Sequence, residues 1–368
     1  MRIVTSNRMI SPRNRKAGGS NVTRIAIALT SVFLSLQSRP AAAQEIRAQE
    51  NITVARVIVD AHITDDHGEP IRNLGPADLR ALIDGKPAAI ESVDWVAETG
   101  PAREMLAVAE PEKADEVDTP PPQGRLFVFF FQTDFQRAPS RIGGQMQFLP
   151  YAERFLESLE PEDRVAVLSF DSHLKFRLDF SRDPGKIRQA IRNALKIDDP
   201  PWPSLAYSPS LRSSLSEEAA RQAASSEEAL FLVGNALRPI PGPKSLILFG
   251  WGLGRLSNGQ VVMSNYYDLA RRTLESSRTT VFVMDISLAD FHSLEVGLGK
   301  VAADTGGSYM KTHDFPTMAL DRLERSLQGH YEIAVKKPAD LKPGRHSIEL
   351  RVPSKRRAVI LARSGFDQ

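Results

Sequence analysis

Six consecutive apolar residues, Leu126–Phe131 (LFVFFF), run straight into Gln132-Thr133-Asp134-Phe135-Gln136. A strand with one wet face alternates polar and apolar residues. A short unbroken apolar run instead needs cover on both faces. The chain must therefore put layers on either side of this segment, which points to a sheet enclosed between helices.

The pattern after Arg125 fits that demand. Tyr151–Leu159 carries Ala152, Phe155, Leu156 and Leu159 at helical spacing. Arg164–Phe170 reads as a second strand, and Lys175–Phe180 as its hairpin partner beyond the Asp171-Ser172-His173 turn. Asp183-Pro184 is a helix start, with a carboxylate at the N-cap and proline at the first helical position. A Pro/Ser-rich loop over 198–215 precedes a predicted helix at Glu217–Leu237. Ser245–Phe249 and Thr280–Ile286 are further strands, and Tyr266–Leu274 is a helix between them. Leu294, Leu298, Val301 and Ala302 mark a last helical face, closed by Gly306-Gly307. Strands alternating with helices predict a mostly parallel sheet. Its ligands would bind outside the carboxyl ends of the strands, so the loops starting at Gln132 and Gly250 should share one rim.

Both ends of the chain read differently. Val54–Val59 is β-rich, Asp65–Gly68 and Asp84-Gly85-Lys86 are turns, and Ala88–Trp95 is a returning strand. Tyr331–Val335, His346–Val352 and Ala358–Ala362 are strands at the other end. Either set alone has too few strands to bury a core, so they are expected to pack together as a small β-sandwich-like module. The expected organisation is a signal peptide over 1–43, an N-terminal β module over 44–97 and a Pro/Glu-rich linker over 98–123. An α/β domain over 124–328 and a C-terminal β segment over 329–368 complete it.

The formal net charge of +2 hides an asymmetry. Residues 1–43 contain Arg2, Arg8, Arg13, Arg15, Lys16, Arg24 and Arg39 and no acid; the remainder carries 40 basic and 45 acidic residues. That balance removes the electrostatic footprint of a nucleic-acid binder. The basic leader precedes the apolar run Ile25–Leu36 and the small-residue stretch Pro40–Ala43, which reads as a secretory signal. The run is shorter than the roughly 20 residues that span a bilayer. The expected location is periplasmic or secreted. The absence of cysteine excludes disulfides and thiolate metal sites.

An ordered set of segments carries a resemblance. These are Val57–Val59, Asp65–Gly68, Pro70–Leu74 and Asp84–Lys86, then the buried strand and Pro161–Phe170 (PEDRVAVLSF). Pro243–Phe249, Leu298–Tyr309 (LGKVAADTGGSY) and the tail from Tyr331 to Phe366 follow. Together they resemble the von Willebrand factor A-like domain, and more narrowly the bacterial secreted VWFA-related proteins. The resemblance implies a Mg²⁺-type site at the rim, built from a D-x-S-x-S motif, a middle-loop Thr and an Asp after the central strand. Here those positions hold Gln132, Asp134 and Gln136, then Gly250, and residues 203–216 offer only serines for the middle loop. Such an ion wants charged oxygen ligands. The site therefore reads as degenerate, with no cofactor or at most weak Mg²⁺ through Asp134. Asp134, Trp251 and Arg255 are the candidate binding rim.

Other constellations have plainer readings. Asp304-Thr305-Gly306 lacks the second carboxylate of an aspartic protease and reads as a helix end. Gly250, Gly252 and Gly254 lack the helix that a phosphate loop opens. Asp285-Ile286-Ser287 reads as a strand-end turn, and the scattered histidines do not form a zinc-hydrolase motif. The expected function is a non-enzymatic exported interaction or scaffold protein with an unknown partner in the cell envelope. The alternatives are an envelope hydrolase using Asp134, Asp171 or Asp304, and a purely structural scaffold.

Overall fold

The computed structural model describes residues 55–97, 124–133, 139–204, 208–355 and 357–368. The leader, the linker and the positions Asp134 and Gln136 lie outside the described residues.

In chain order the first strands are β1 (Arg56–Thr64), β2 (Arg80–Ile83), β3 (Lys86–Ala88), β4 (Ile90–Ala97) and β5 (Leu126–Gln132). Helix α1 (Pro139–Phe155), β6 (Arg164–Phe170), β7 (Leu174–Ser181), α2 (Pro184–Ala194), α3 (Glu217–Gln222) and α4 (Ser226–Leu237) follow. Next come β8 (Lys244–Gly250), β9 (Arg255–Ser257), β10 (Gln260–Val262), α5 (Tyr267–Ser276), β11 (Thr279–Asp285), α6 (Glu295–Thr305), β12 (Tyr309–Lys311) and α7 (Pro316–Ser326). The chain closes with β13 (Gly329–Lys336), β14 (Arg345–Arg351), β15 (Val359–Ala362) and β16 (Gly365–Asp367).

Six strands form one sheet in the order β12-β11-β8-β5-β6-β7, parallel except for β7 at the edge. The apolar run explains its layers. Leu126, Val128 and Phe130 face one core with Leu230, Val233, Leu274, Leu298 and Val301 of α4, α5 and α6. Phe127, Phe129 and Phe131 face the other with Phe148, Phe155, Ile187, Ile191, Leu320 and Leu323 of α1, α2 and α7. All six residues are at most 3% exposed, so Leu126–Phe131 had no solvent-facing position for a polar side chain.

The amino end of β5 is fixed by a buried ion pair. The Arg125 guanidinium donates to Asp163 Oδ2 from Nε at 3.0 Å and from Nη2 at 2.5 Å. Asp163 Oδ1 accepts from the Arg125 backbone N–H at 2.8 Å, and Nη1 of Arg125 reaches the Leu327 carbonyl at 3.1 Å. The Asp-Arg-Val segment therefore owes its first residue to this clamp, which registers β5 against β6.

Two four-stranded antiparallel sheets, β15-β1-β13-β4 and β16-β14-β2-β3, share a third core built on Val59, Ile83, Tyr331, Ile333, Ile348 and Phe366. The two-residue turn between β2 and β3 places both Asp84 and Gly85 at positive φ, 50° and 74°, as a tight hairpin requires. The single strand expected at Ala88–Trp95 is instead divided at Ala89. Lys86–Ala88 pairs with β2, whereas Ile90–Ala97 pairs with β13 in the other sheet. A chain that changes sheets keeps its apolar character, so alternation alone does not reveal the crossing.

The predicted helix Glu217–Leu237 is also two helices. Ser225 Oγ accepts from Glu228 N–H at 3.1 Å, and the Glu228 carboxylate accepts from Ala224 N–H at 2.8 Å. The Ser225 N-cap, with Glu228 reaching back to the residue before it, starts a new helix and ends the old one. Helix α1, conversely, begins at Pro139, well before the predicted Tyr151.

Charged residues join the parallel sheet to the antiparallel ones. Arg278 donates to both Asp60 oxygens at 3.0 and 2.5 Å and to Glu332 at 2.5 Å. Nearby, Arg345 makes a bidentate contact with buried Glu275 at 2.8 and 2.9 Å, and Arg271 adds a third at 2.9 Å. Burial pushes the Asp60 carboxyl up, but hydrogen bonds from His330 and Arg278 outweigh it and hold Asp60 well below the usual carboxylate range.

Two outcomes are expected. Asp163→Ala leaves a buried guanidinium unpaired and should cost about 3–5 kcal/mol in urea unfolding. A depressed carboxyl stabilises the fold above its unfolded pKa and loses that contribution as pH falls towards the folded value. Asp60→Asn should therefore be less stable than the parent at neutral pH, and the gap should narrow below about pH 4. A gap constant between pH 7 and pH 3 would contradict this.

Candidate functional site

The sheet order places a topological switch between β5 and β8, because the chain leaves β5 towards β6 and later returns on its other side. Crevices at such switch points are where open α/β sheets bind ligands. Gln132 and Gly250, the last residues of those two strands, stand there together.

Gln132 is 4% exposed and uses both ends of its amide. Oε1 accepts from the backbone N–H of Trp251 at 2.9 Å and of Gly252 at 3.2 Å. Nε2 donates to Ser226 Oγ at 3.0 Å and to the Gly252 carbonyl at 2.7 Å. Its own backbone carbonyl accepts from Gln145 Nε2 on α1 at 2.6 Å. One side chain thus ties the end of β5 to the loop after β8 and to the first residue of α4. Thr133 continues the anchoring, with its N–H on the Phe170 carbonyl at 2.7 Å and its hydroxyl on the Ala194 carbonyl at 3.1 Å.

The hydroxyl sought within 203–216 is supplied from elsewhere. Ser226, beyond that window and at the start of α4, is the one that meets Gln132. Its legible signal was the Ser225–Glu228 cap, which fixes where α4 begins. The adjacent Glu227 is buried, and its Oε1 accepts from Gly254 N–H at 2.8 Å.

An ion at Gln132 would need a lone pair that the amide has already committed. Gly250 supplies no side chain, and a Cβ there would sit 3.1 Å from Gln132 Oε1. The donor set at this point of the rim does not fit a hard divalent cation. Asp134 and Gln136, the other positions of the motif, are outside the described residues.

The Gly250–Gly254 loop opens into the β9–β10 hairpin, not into a helix. Gly252 is demanded by packing: a Cβ there would lie 2.5 Å from Leu294 Cβ. Trp251 is half-buried, with the Arg141 guanidinium 3.6 Å from its ring centroid. Arg255 is exposed on β9. Trp251 therefore packs back against α1 while keeping part of its ring at the surface.

Of the hydrolase candidates, Asp171 and Asp304 do not converge, and Asp134 lies outside the described residues. Asp171 lies in the turn after β6 at the carboxyl rim, held by Lys175 at 2.6 Å. Asp304 lies at the end of α6, just before β12 starts, and accepts from Tyr267 at 2.6 Å and Lys300 at 2.9 Å. These are opposite ends of the sheet. Asp285 forms the expected strand-end turn, its Oδ1 accepting from Ser287 N–H and Oγ at 3.0 and 2.7 Å. Burial raises the Asp285 carboxyl, but the hydrogen bonds from His292, Tyr309 and Ser287 prevail and hold it below the ordinary range.

No family model matches the chain, and no curated protein matches it. Some solved structures are similar to part of the chain. BatB from Bacteroides thetaiotaomicron is 12% identical, covering 55% of this chain and 97% of its own, with a TM-score of 0.35. The vWF domain of the type V pili tip protein Mfa5 from Porphyromonas gingivalis is also 12% identical over 55% of this chain and 95% of its own, at 0.36. An aerotolerance-related membrane protein from Bacteroides fragilis shows 12% identity over 55% and 98%, at 0.35. Likenesses of this size carry no argument about activity, ligand or partner. No helix among the described residues is long and apolar enough to cross a membrane.

Gln132→Glu should test the amide directly. The glutamate can still accept from Trp251 and Gly252, but an oxygen would replace Nε2 opposite the Gly252 carbonyl. Stability should fall by about 1–3 kcal/mol or more at neutral pH, the cost of an unmade buried hydrogen bond. Protonation restores a donor, so the deficit should shrink as pH falls. Equal stability of variant and parent at pH 7 would show that the amide is not needed there.

Proposed function

We propose that this chain is an exported, non-enzymatic interaction or scaffold protein whose rim binds its partner without a metal ion. The observation that carries the reading is the Gln132 amide, hydrogen-bonded at both ends where a metal ligand would otherwise stand. In this reading the metal-ion-dependent site is degenerate, and loop geometry is held by Gln132, Ser226 and the Trp251-Gly252 backbone. The binding surface in this reading is Trp251 with Arg141 on its ring and Arg255, together with Asp134, which follows β5 in the sequence. Trp and Arg are the residue types that dominate interface energetics.

The domain organisation belongs to the same proposal. Residues 44–97 and 329–368 form one β module, 98–123 link it to the α/β domain over 124–328, and 1–43 direct export. The partner is a protein of the cell envelope.

The test is capture of envelope proteins on the immobilised protein, in the presence and absence of excess Mg²⁺. Captured partners and the melting temperature should be the same in both conditions. Arg255→Glu should reduce capture without shifting the melting temperature. A melting temperature that rises with Mg²⁺, or capture that requires it, would overturn the metal-free rim. Capture indifferent to Arg255→Glu and to Trp251→Ala would favour a scaffold without a binding rim.

A further inference from the structure

The loops after β11 and β12 gather a different set of donor atoms beside the Gln132–Gly250 crevice. Asp285 ends β11 and is 2% exposed. Its backbone carbonyl accepts from Thr312 N–H at 3.1 Å and Thr312 Oγ1 at 2.8 Å, which fixes the strand end. Asp285 Oδ2 lies 2.7 Å from His292 Nε2 and accepts from the Tyr309 hydroxyl at 2.5 Å. Glu295 enters on the first turn of α6. Ligand atoms of Asp285, His292 and Glu295 all lie within 4.8 Å of one another. Glu295 Oε2 is buried and accepts no hydrogen bond; the Lys311 ammonium faces it at 2.8 Å as an ionic contact.

We propose that Asp285, His292 and Glu295 form a binding site for a divalent transition-metal ion of the Zn²⁺ class, in which the Lys311 ammonium takes the place of the ion when none is bound. One imidazole and two carboxylates are the mixed nitrogen and oxygen donors such an ion takes, with a fourth position left open. Two bonds of about 2.0–2.1 Å at the tetrahedral angle put donor atoms about 3.3 Å apart. The present 2.7 Å between His292 Nε2 and Asp285 Oδ2 would therefore open by about 0.6 Å on binding. Lys311 pairs with Glu295 alone while Asp285 faces His292 and Tyr309, so a divalent ion would bring both carboxylates onto one charge. On binding, His292 is a neutral imidazole with its proton on Nδ1, and the Nε2 lone pair bonds the ion. Lys311 withdraws to the Asp290 carbonyl and the Phe291 ring, both of which it already touches. The Tyr309 hydroxyl keeps the Asp285 carboxylate oriented, as outer hydrogen bonds do for metal ligands. Mg²⁺ and Ca²⁺ prefer all-oxygen sets and would not compete. A neighbouring trio, Asp290, His313 and Asp314, also lies within 4.8 Å, but both of its acids are exposed.

The experiment is calorimetric titration of the purified, chelator-treated protein with Zn²⁺, and with Co²⁺ followed by its visible absorption. One equivalent should bind, and excess Mg²⁺ should not displace it. His292→Ala should weaken binding by at least about tenfold, the lower bound for disturbing a metal's ligand shell. His313→Ala should leave it unchanged. Lys311→Met removes a competing charge and no donor, so it should tighten binding; it also decides the matter if His292→Ala fails to fold. Failure of the parent to bind one equivalent, affinity that follows His313 instead of His292, or binding by Lys311→Met no tighter than the parent's would each overturn the site. Because the readout is Zn²⁺ affinity, its failure leaves the Mg²⁺-independent rim untouched.

Discussion

Everything in the α/β part is arranged around a strand that water cannot reach from either side. β5 has no face to spare for a polar residue, so its only specific polar contacts are at its two ends. At the amino end Arg125 and Asp163 form a buried ion pair that sets the register against β6. At the carboxyl end Gln132 spends its amide on one loop and a helix. The hydrophobic effect holds the layers together but has no direction. The two polar ends supply the direction, and so decide which loops meet over the sheet.

The antiparallel sheets are joined to this core by charge as well as by apolar contact. Asp60, Arg278 and Glu332 come from β1, the turn before β11, and β13. Glu275, Arg271 and Arg345 bring α5 and β14 together. Paired charges of this kind tolerate little sliding, because displacing either partner leaves a desolvated ion. The parallel and antiparallel sheets are thereby held in one mutual arrangement.

Much of the fold was legible. Continuous apolar strands, Asp183-Pro184 and Gly306 each act locally, and each appears where the sequence put it. Misreadings arose where a local pattern could not carry the deciding fact. Ala88–Trp95 stays apolar while changing sheets at Ala89, because both sheets share one core. Glu217–Leu237 keeps a helical composition through its break, although the S-x-x-E cap at Ser225 was there to be read. The meeting of the loops after Gln132 and Gly250 was legible, since their shared end of the sheet follows from strand order. Its hydroxyl partner, Ser226, was not, because 94 residues separate it from Gln132 and only the tertiary fold joins them. The cluster around Asp285 was hidden for a similar reason: Tyr309 and Lys311 arrive from another strand.

The Gln132 amide carries a consequence for control. A carboxamide neither gains nor loses a proton across the range in which proteins stay folded, and it exchanges nothing with the ions of the medium. Loops latched by it keep the same spacing whatever the surroundings offer. In the proposed binding role, a rim built this way would be a fixed template and not a toggle, and its selectivity would reside in side chains mounted above the latch, Trp251, Arg141 and Arg255, that can change without disturbing the frame beneath.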